Sequence, residues 1–593
     1  MRRFITTALL LCLLSGYSLL MYAVPAKPGK ITFRQPDGTC ITVFVHGDEF
    51  SHWYETEEGT VLLNGHDGAL CYAMLDDSGR AVASGVAASE AGKQDAKAAA
   101  LIKKQDKAAL LKSIGRKGVE ARKAATATVP GTISRTFPTE GVVNGLVILA
   151  EYQDVKFSEG HTRDVYDRLS NAPGYTGEYA SCSVYDYFVA QSYGKFTPHF
   201  DVVGPVTLPH EMSYYGISEL APEMIIDACN EAKNTLGTDF SKYDVNNDGN
   251  VDFVFVIYAG YGESQGASYK TVWPQKVDLT YSSWNTYDGL YLSAAACSCE
   301  LRGNEGTTLD GIGTFCHEFS HILGLPDVYD TNTGGTGFGM GSWDAMDRGI
   351  YLDESRTPAG YTAMDKYSVG WLEPKILSEP TKNIRLEPLS ETADAYFIVC
   401  ESNTDEYFTL ENRQNTGCDK ALPGHGLIIS QVHYVPSLWS SNRVNASSNE
   451  YEHISLVAAD NNKSTTTFEG DPFPGSANVT EFTGETTPSM AWHTTDVPAT
   501  CGITNIREEN GVIIFDFNGG TTGVKGITDG TMTDIRPGSG CLDIDNPKGN
   551  IITVTSVDGR EVSRSASVNQ HIVLGRGIYV VRGDGRSEKV LIR

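Results

Sequence analysis

One run constrains this chain more than any other: His317-Glu318-Phe319-Ser320-His321-Ile322-Leu323-Gly324-Leu325-Pro326-Asp327. Residues four apart share a helix face, so imidazoles at 317 and 321 can reach one metal ion. The glutamate beside the first can then act on a metal-bound water. The surrounding GIGTFCHEFSHIL reads as a helix with Asp310 or Thr314 as candidate N-cap and Gly324 as its end. A glycine there lets the chain turn sharply and bring a third group back towards the histidines. That group is Asp327, whose carboxylate is an acceptable zinc ligand and leaves the fourth position open, as catalysis needs. Pro326 stiffens the approach by fixing its own φ. Asp330 is the reserve ligand. An HExxH alone is also compatible with an exposed helix that carries two histidines by chance. The spaced glycine and aspartate weigh against that.

The same spacing with a final histidine, HExxHxxGxxH, marks the metzincins, where a methionine packs beneath the metal. Met346 in GSWDAMDRG is the candidate for that position, against the plainer reading of a core residue. Tyr329, Tyr351 and Tyr361 are unranked candidates for stabilising an oxyanion. A second constellation is Asp244-x-Asn246-x-Asp248-Gly249-Asn250-x-Asp252, which matches the first half of an EF-hand calcium loop. Phe255 stands where the closing glutamate belongs, so another carboxylate must complete that site. The rival reading is a polar turn. His425 reads as structural. Asp48 in VHGDEF reads either as a turn residue or as a group that blocks the zinc of a precursor.

A chain of 593 residues is too long for one core, which implies about two to four domains. The net charge of −27 argues against nucleic acid or an anionic membrane surface as partner. Met1-Arg2-Arg3 and the apolar FITTALLLCLLSGYSLLMYAV read as a signal peptide over 1–26 with cleavage near Ala23 or Ala26, the rival being an uncleaved anchor, which the Gly-Tyr-Ser interruption and the following prolines weigh against. The expected location is therefore secreted, extracellular or at the cell surface. Twelve cysteines, one of them in the signal, are too sparse for a disulfide framework. Most read as buried small apolar residues, with one or two bridges.

A propeptide over 27–135 combines a β unit with an Ala/Lys-rich helix and ends in a basic linker open to an activating protease. Residues 136–372 alternate strands and helices as an α/β (α+β) catalytic domain. A β-rich domain follows over 373–518. The module at 519–593 reads as β, and its GRGIYVVRGDGRSEKVLIR is similar to C-terminal sorting or adhesion modules of secreted proteins of the Bacteroidetes type.

GIGTFCHEFSHILGLPDVYD, DVNNDGNVDFVFVIYAGYGES, SVYDYFVAQSYGKF and SVGWLEP together resemble the immune inhibitor A-type secreted zinc metalloproteases. EYFTLENRQ, LPGHGLII and GDPFPG extend the likeness over roughly 140–518. Snapalysin-type proteases share the HExxHxxGxxD pattern with an aspartate as third zinc ligand. The resemblance implies a metzincin-like zinc endopeptidase made as a zymogen. His317, His321 and Asp327 would hold zinc, and Glu318 would act as base on its bound water. Calcium would sit at 244–252, and proteins or peptides would be the substrates. Two rivals are a non-catalytic surface adhesin on the same metal-stabilised scaffold and a zinc hydrolase of non-peptide substrates.

Overall fold

A computed structural model describes residues 21–126, 137–518 and 534–592, except 218, 280–285, 332–336, 447–448, 496–498, 538–540, 547–548, 557–559, 576 and 584–585. Most of the expected signal and of the linker after the Ala/Lys-rich segment, and the first residues, 519–533, of the expected C-terminal module, lie outside the described residues.

The centre is a six-stranded sheet in the order Met21–Ala23, Gln275–Asp278, Ala294–Leu301, Val254–Tyr261, Gly141–Glu151, Phe196–Thr207. The first two pairings are antiparallel and the other three parallel. The apolar run of Gly141–Glu151 is continuous because both faces are covered. Val147 and Leu149 enter the core under the motif helix, while Leu146, Ile148 and Ala150 enter a core on the opposite face. Helix Ala221–Leu236 covers that opposite face with Met224, Ile225, Ala228, Cys229 and Ala232, at helical spacing. Pro222 opens it and Gly237, with φ 66°, ends it.

The motif helix runs Gly313–Ile322 and is buried along nearly its whole length. Neither Asp310 nor Thr314 caps it, contrary to the sequence expectation. Its first turn is held by tertiary contact, with Gly313 N–H donating to Ser355 O at 3.0 Å. Asp310 instead accepts hydrogen bonds from Gln265 and Thr314. The chain at 350–355 passes so close that a Cβ on Gly313 would lie 2.0 Å from Ile350 O.

Residues 30–87 form a six-stranded antiparallel meander, in chain order. The Ala/Lys-rich segment is two helices, Ala96–Lys104 and Lys107–Thr126. They part at Gln105, whose amide leaves the helix path to bond the backbone of Val61 and Ala73 in the sheet.

Beyond the family of strands around the motif, residues 375–457 build a five-stranded sheet and 381–517 a three-stranded one. The core beneath the motif helix continues into Phe397, Tyr407, Ile428, Val432 and Leu456 of the five-stranded sheet. The C-terminal strands form two small sheets around Leu542, Ile544, Val554, Val581 and Val590. The chain is thus multidomain, mixed α/β and strand-rich. All eleven described cysteines are free thiols, most of them buried, so the bridges expected from sequence are not among them. No helix among the described residues is long and apolar enough to cross a membrane.

Candidate metal centre and cleft

The motif helix places His317 and His321 one turn apart, and Gly324, at φ 90°, reverses the chain after it. Leu325 N–H reaches back to Ser320 O at 3.1 Å, which closes the turn and sends 325–328 under the helix. Asp327 Oδ1 then lies 3.1 Å from His317 Nε2 and 3.4 Å from His321 Nε2, and the two Nε2 atoms are 3.2 Å apart. All three side chains are buried.

Each ring's other nitrogen fixes its tautomer. His317 Nδ1 faces Ala345 O at 2.7 Å and His321 Nδ1 faces Leu325 O at 2.8 Å. A carbonyl can only accept, so both Nδ1 atoms carry the proton and both Nε2 atoms turn lone pairs towards Asp327 Oδ1. Two lone pairs and a carboxylate oxygen converging in a buried space fit a cation bound by N and O ligands. Burial lowers the His321 pKa and so favours the neutral ring a metal requires. Burial works against ionising Asp327, but in the metal-free site protons on the facing His321 and His317 rings outweigh it and hold its carboxyl well below the usual range, a part a bound cation would take over.

Asp330 is buried but does not join this group of ligand atoms. Met346 is fully buried, its carbonyl accepts Val328 N–H at 3.0 Å, and its neighbour Ala345 supplies the acceptor for His317. Two further groups could gather a metal among the described residues, Cys541–Asp543–His571 and His210–Glu223–Asp227. Both are more exposed, and their carboxylates are already engaged, Glu223 and Asp227 accepting the Tyr214 and Tyr215 hydroxyls and Asp543 paired with His571.

Glu318 is fully buried near Asp327. Burial, then the Asp327 and Glu49 carboxylates, push its pKa well above the ordinary value. Its Oε1 accepts Val24 N–H at 3.0 Å, and Oε2 has no hydrogen-bond partner among the described residues. That contact with Val24 was invisible in the sequence. Residues Met21–Ala23 add to the Gln275–Asp278 edge as an antiparallel strand. Val24 O then accepts Trp273 Nε1–H at 3.0 Å and Pro25 O accepts the Tyr351 hydroxyl at 2.6 Å. An extended segment of the chain therefore lies along the sheet edge directly beside Glu318. Of the three tyrosines, Tyr351 is the one directed at this segment. Tyr361 bonds Ser320, and Tyr329 is buried in the core.

The loop at 244–252 is closed on itself. Asp244 accepts Asp248 N–H and Gly249 N–H, Asp248 accepts Asn250 N–H, and Asp252 accepts Val245 N–H at 2.8 Å. Asn246 Nδ2 donates to Asp248 and Asp252. Burial, with Asp248 and Asp244 nearby, pushes the Asp252 pKa up to about 7. Phe255 is buried in the central sheet and contributes no ligand. Asp48 is buried and accepts Phe50 and Ser51 N–H in a tight turn. His425 pairs with Glu508, with its side chain largely exposed, and takes no part in the centre.

Comparison with known proteins points to a metallopeptidase over this part of the chain. Residues 147–375 match the family model described as "Immune inhibitor A peptidase M6, catalytic domain". Immune inhibitor A of Bacillus thuringiensis subsp. alesti is 25% identical over a match covering 41% of this chain and 43% of that protein. Pre-pro-metalloprotease PrtV, from two strains of Vibrio cholerae serotype O1, is 22% identical over 41% of this chain and 32% of that protein. The chain thus spans less than half the length of the relatives it matches.

Proposed function

We propose that the chain is a secreted zinc endopeptidase made as a proenzyme. The observation that carries this reading is the buried convergence of His317 Nε2, His321 Nε2 and Asp327 Oδ1, with Glu318 beside it.

When bound, zinc supplies a Lewis acid that polarises the scissile carbonyl and brings the pKa of a coordinated water to about 7. Glu318 takes the water's proton at a carboxylate oxygen and passes it to the leaving amine nitrogen. Its buried surroundings raise its basicity for that task. A peptide substrate adds as an antiparallel strand to Gln275–Asp278, in the place now taken by Met21–Ala23, so that main-chain hydrogen bonds align it. Tyr351, which here donates to a peptide carbonyl, is the candidate oxyanion donor.

The proenzyme reading rests on the docked N-terminal meander, because a signal cut at Ala23 or Ala26 removes the strand Met21–Ala23 itself. While residues 21–25 lie beside Glu318, a substrate strand has no room there. A signal cut after Ala23 leaves Val24 and Pro25 in place, whereas a cut after Ala26 removes them. The N-terminal meander is docked by His52, whose ring stacks on Trp273 at 5.1 Å and pairs with Glu263. The 244–252 loop is proposed to bind calcium and stiffen the approach to strand Val254–Tyr261, its oxygen-rich sequence and Gly249 at φ 91° being the support.

The test is casein cleavage by the purified chain before and after limited proteolysis of the linker, with and without a zinc chelator. Cleavage that appears on processing and stops on chelation is expected. A processed chain that binds zinc yet cleaves no protein would favour the adhesin reading.

A further inference from the structure

The third candidate ligand is held by a residue 115 positions further along the chain. Asn442 Oδ1 accepts Asp327 N–H at 2.7 Å, and Asn442 Nδ2 donates to Asp327 Oδ2. One amide thus grips both the backbone and the carboxylate of one residue, and it is buried, at 3% exposure. With its main chain and Oδ2 both fixed, Asp327 has a single remaining direction for Oδ1, towards the two Nε2 atoms.

The local backbone explains why an asparagine stands there. Asn442 follows the short helix Pro436–Ser440 and has φ 53°, the left-handed conformation that ends many helices. Glycine is the usual residue in that position and asparagine the next. Glycine would satisfy the backbone alone, whereas asparagine adds the amide that reaches Asp327. The grip continues along the chain. Thr331 donates to Asn442 O at 3.3 Å, and Asn445 Nδ2 donates to Val328 O. Farther on, Glu452 Oε1 accepts Phe338 N–H and Gly339 N–H. Asn442, Asn445 and Glu452 all lie beyond residue 375, where the match to the catalytic-domain family ends.

We infer that Asn442 is a positioning residue for the metal centre, and that the β-rich region after 375 completes a site whose ligands all lie before it. The inference rests on the zinc reading above. A charge-assisted N–H···O bond to Oδ2 offsets the cost of burying the carboxylate and keeps it from rotating to chelate through both oxygens. Groups of this kind around metal ligands are worth about 10–100-fold in metal affinity.

Two variants of the full chain test it. Asn442→Asp keeps the shape and the left-handed preference but replaces the donor with a carboxylate facing Asp327. Asn442→Gly keeps the backbone and removes the side chain, so it carries the test should the aspartate variant not fold. Zinc affinity is read by competition with a chromogenic chelator, and ligand geometry by the visible spectrum of the cobalt-substituted protein. Thermal melting of the metal-free proteins records any purely structural effect. The expected result is zinc binding about 10–100-fold weaker than wild type, with an altered cobalt spectrum. Affinities within about twofold of wild type in the folded variants, with an unchanged spectrum, overturn the inference. A wild-type chain that takes up no zinc, like a His321→Ala control, would instead remove the zinc reading on which the inference stands.

Discussion

A glutamate beside two metal-facing histidines does different work from them, and substitution separates the two roles. Glu318→Ala leaves the three ligand atoms in place, so zinc content should stay at wild-type level while kcat/KM falls by at least about 10²–10⁴. Asp327→Ala removes a ligand, and metal analysis should show zinc lost together with activity. Full zinc retention would move the third ligand elsewhere. Tyr351→Phe deletes one hydroxyl that here meets a peptide carbonyl. It should lower kcat by about 10²–10³ with KM little changed, and an unaltered kcat would rule out the oxyanion role. At this scale the sequence was a good guide where chemistry depends on local spacing. His317, His321, Gly324 and Asp327 lie within eleven residues, and helix geometry with one glycine brings them together. Asn442 gave no such signal, because a lone amide far along the chain has no periodicity to betray it.

The elements that carry these residues are set by tertiary packing more than by local capping. The motif helix lacks a side-chain N-cap, and its start is fixed by Gly313 against the chain at 350–355. Propensity rules pointed to Asp310 and Thr314 because they cannot see that neighbour. Gln105 split a helix that composition alone reads as continuous, since its amide has better partners in the sheet. The pairing of Met21–Ala23 with Gln275–Asp278 was equally hidden, because strand partners some 250 residues apart leave no mark on local pattern. The alternation of strands and helices over 136–372 was legible, through apolar runs and helical spacing. For the 244–252 loop, calcium at a hundredfold excess over its Kd should stabilise the fold by about 2–3 kcal/mol. A melting temperature that does not fall when calcium is chelated would leave the loop as a polar turn.

Across the whole molecule, the N-terminal meander, the catalytic domain and the following β-rich sheet share one hydrophobic core. Their joints differ in character. The joint to the β-rich sheet combines the shared apolar core and the Asn442 amide with charged groups, Arg413 donating to Trp343 O and Gly360 O while Glu411 and Asp419 accept Ala363 N–H and Gly360 N–H. The joint to the meander includes His52 against Glu263, 3.3 Å apart. Burial opposes charge on His52, but Glu263, helped by Glu219, raises its pKa from 6.5 to about 9. A raised histidine pKa stabilises the docked state fully below about 6.5, and that contribution is lost as pH rises through about 9. Meander docking should therefore weaken in wild type as pH rises from 6.5 through about 9, seen as faster proteolysis of the joint, while His52→Gln should show a flatter profile. Identical profiles would contradict the pairing.

The central claim is that three buried ligands and one glutamate make a hydrolytic centre. It is tested most directly by measuring zinc content and casein cleavage on the same samples of processed wild type and Glu318→Ala. Equal zinc in both, with cleavage in the wild type alone, is the expected result. Cleavage by Glu318→Ala at the wild-type rate, or by wild type stripped of its metal, would contradict it.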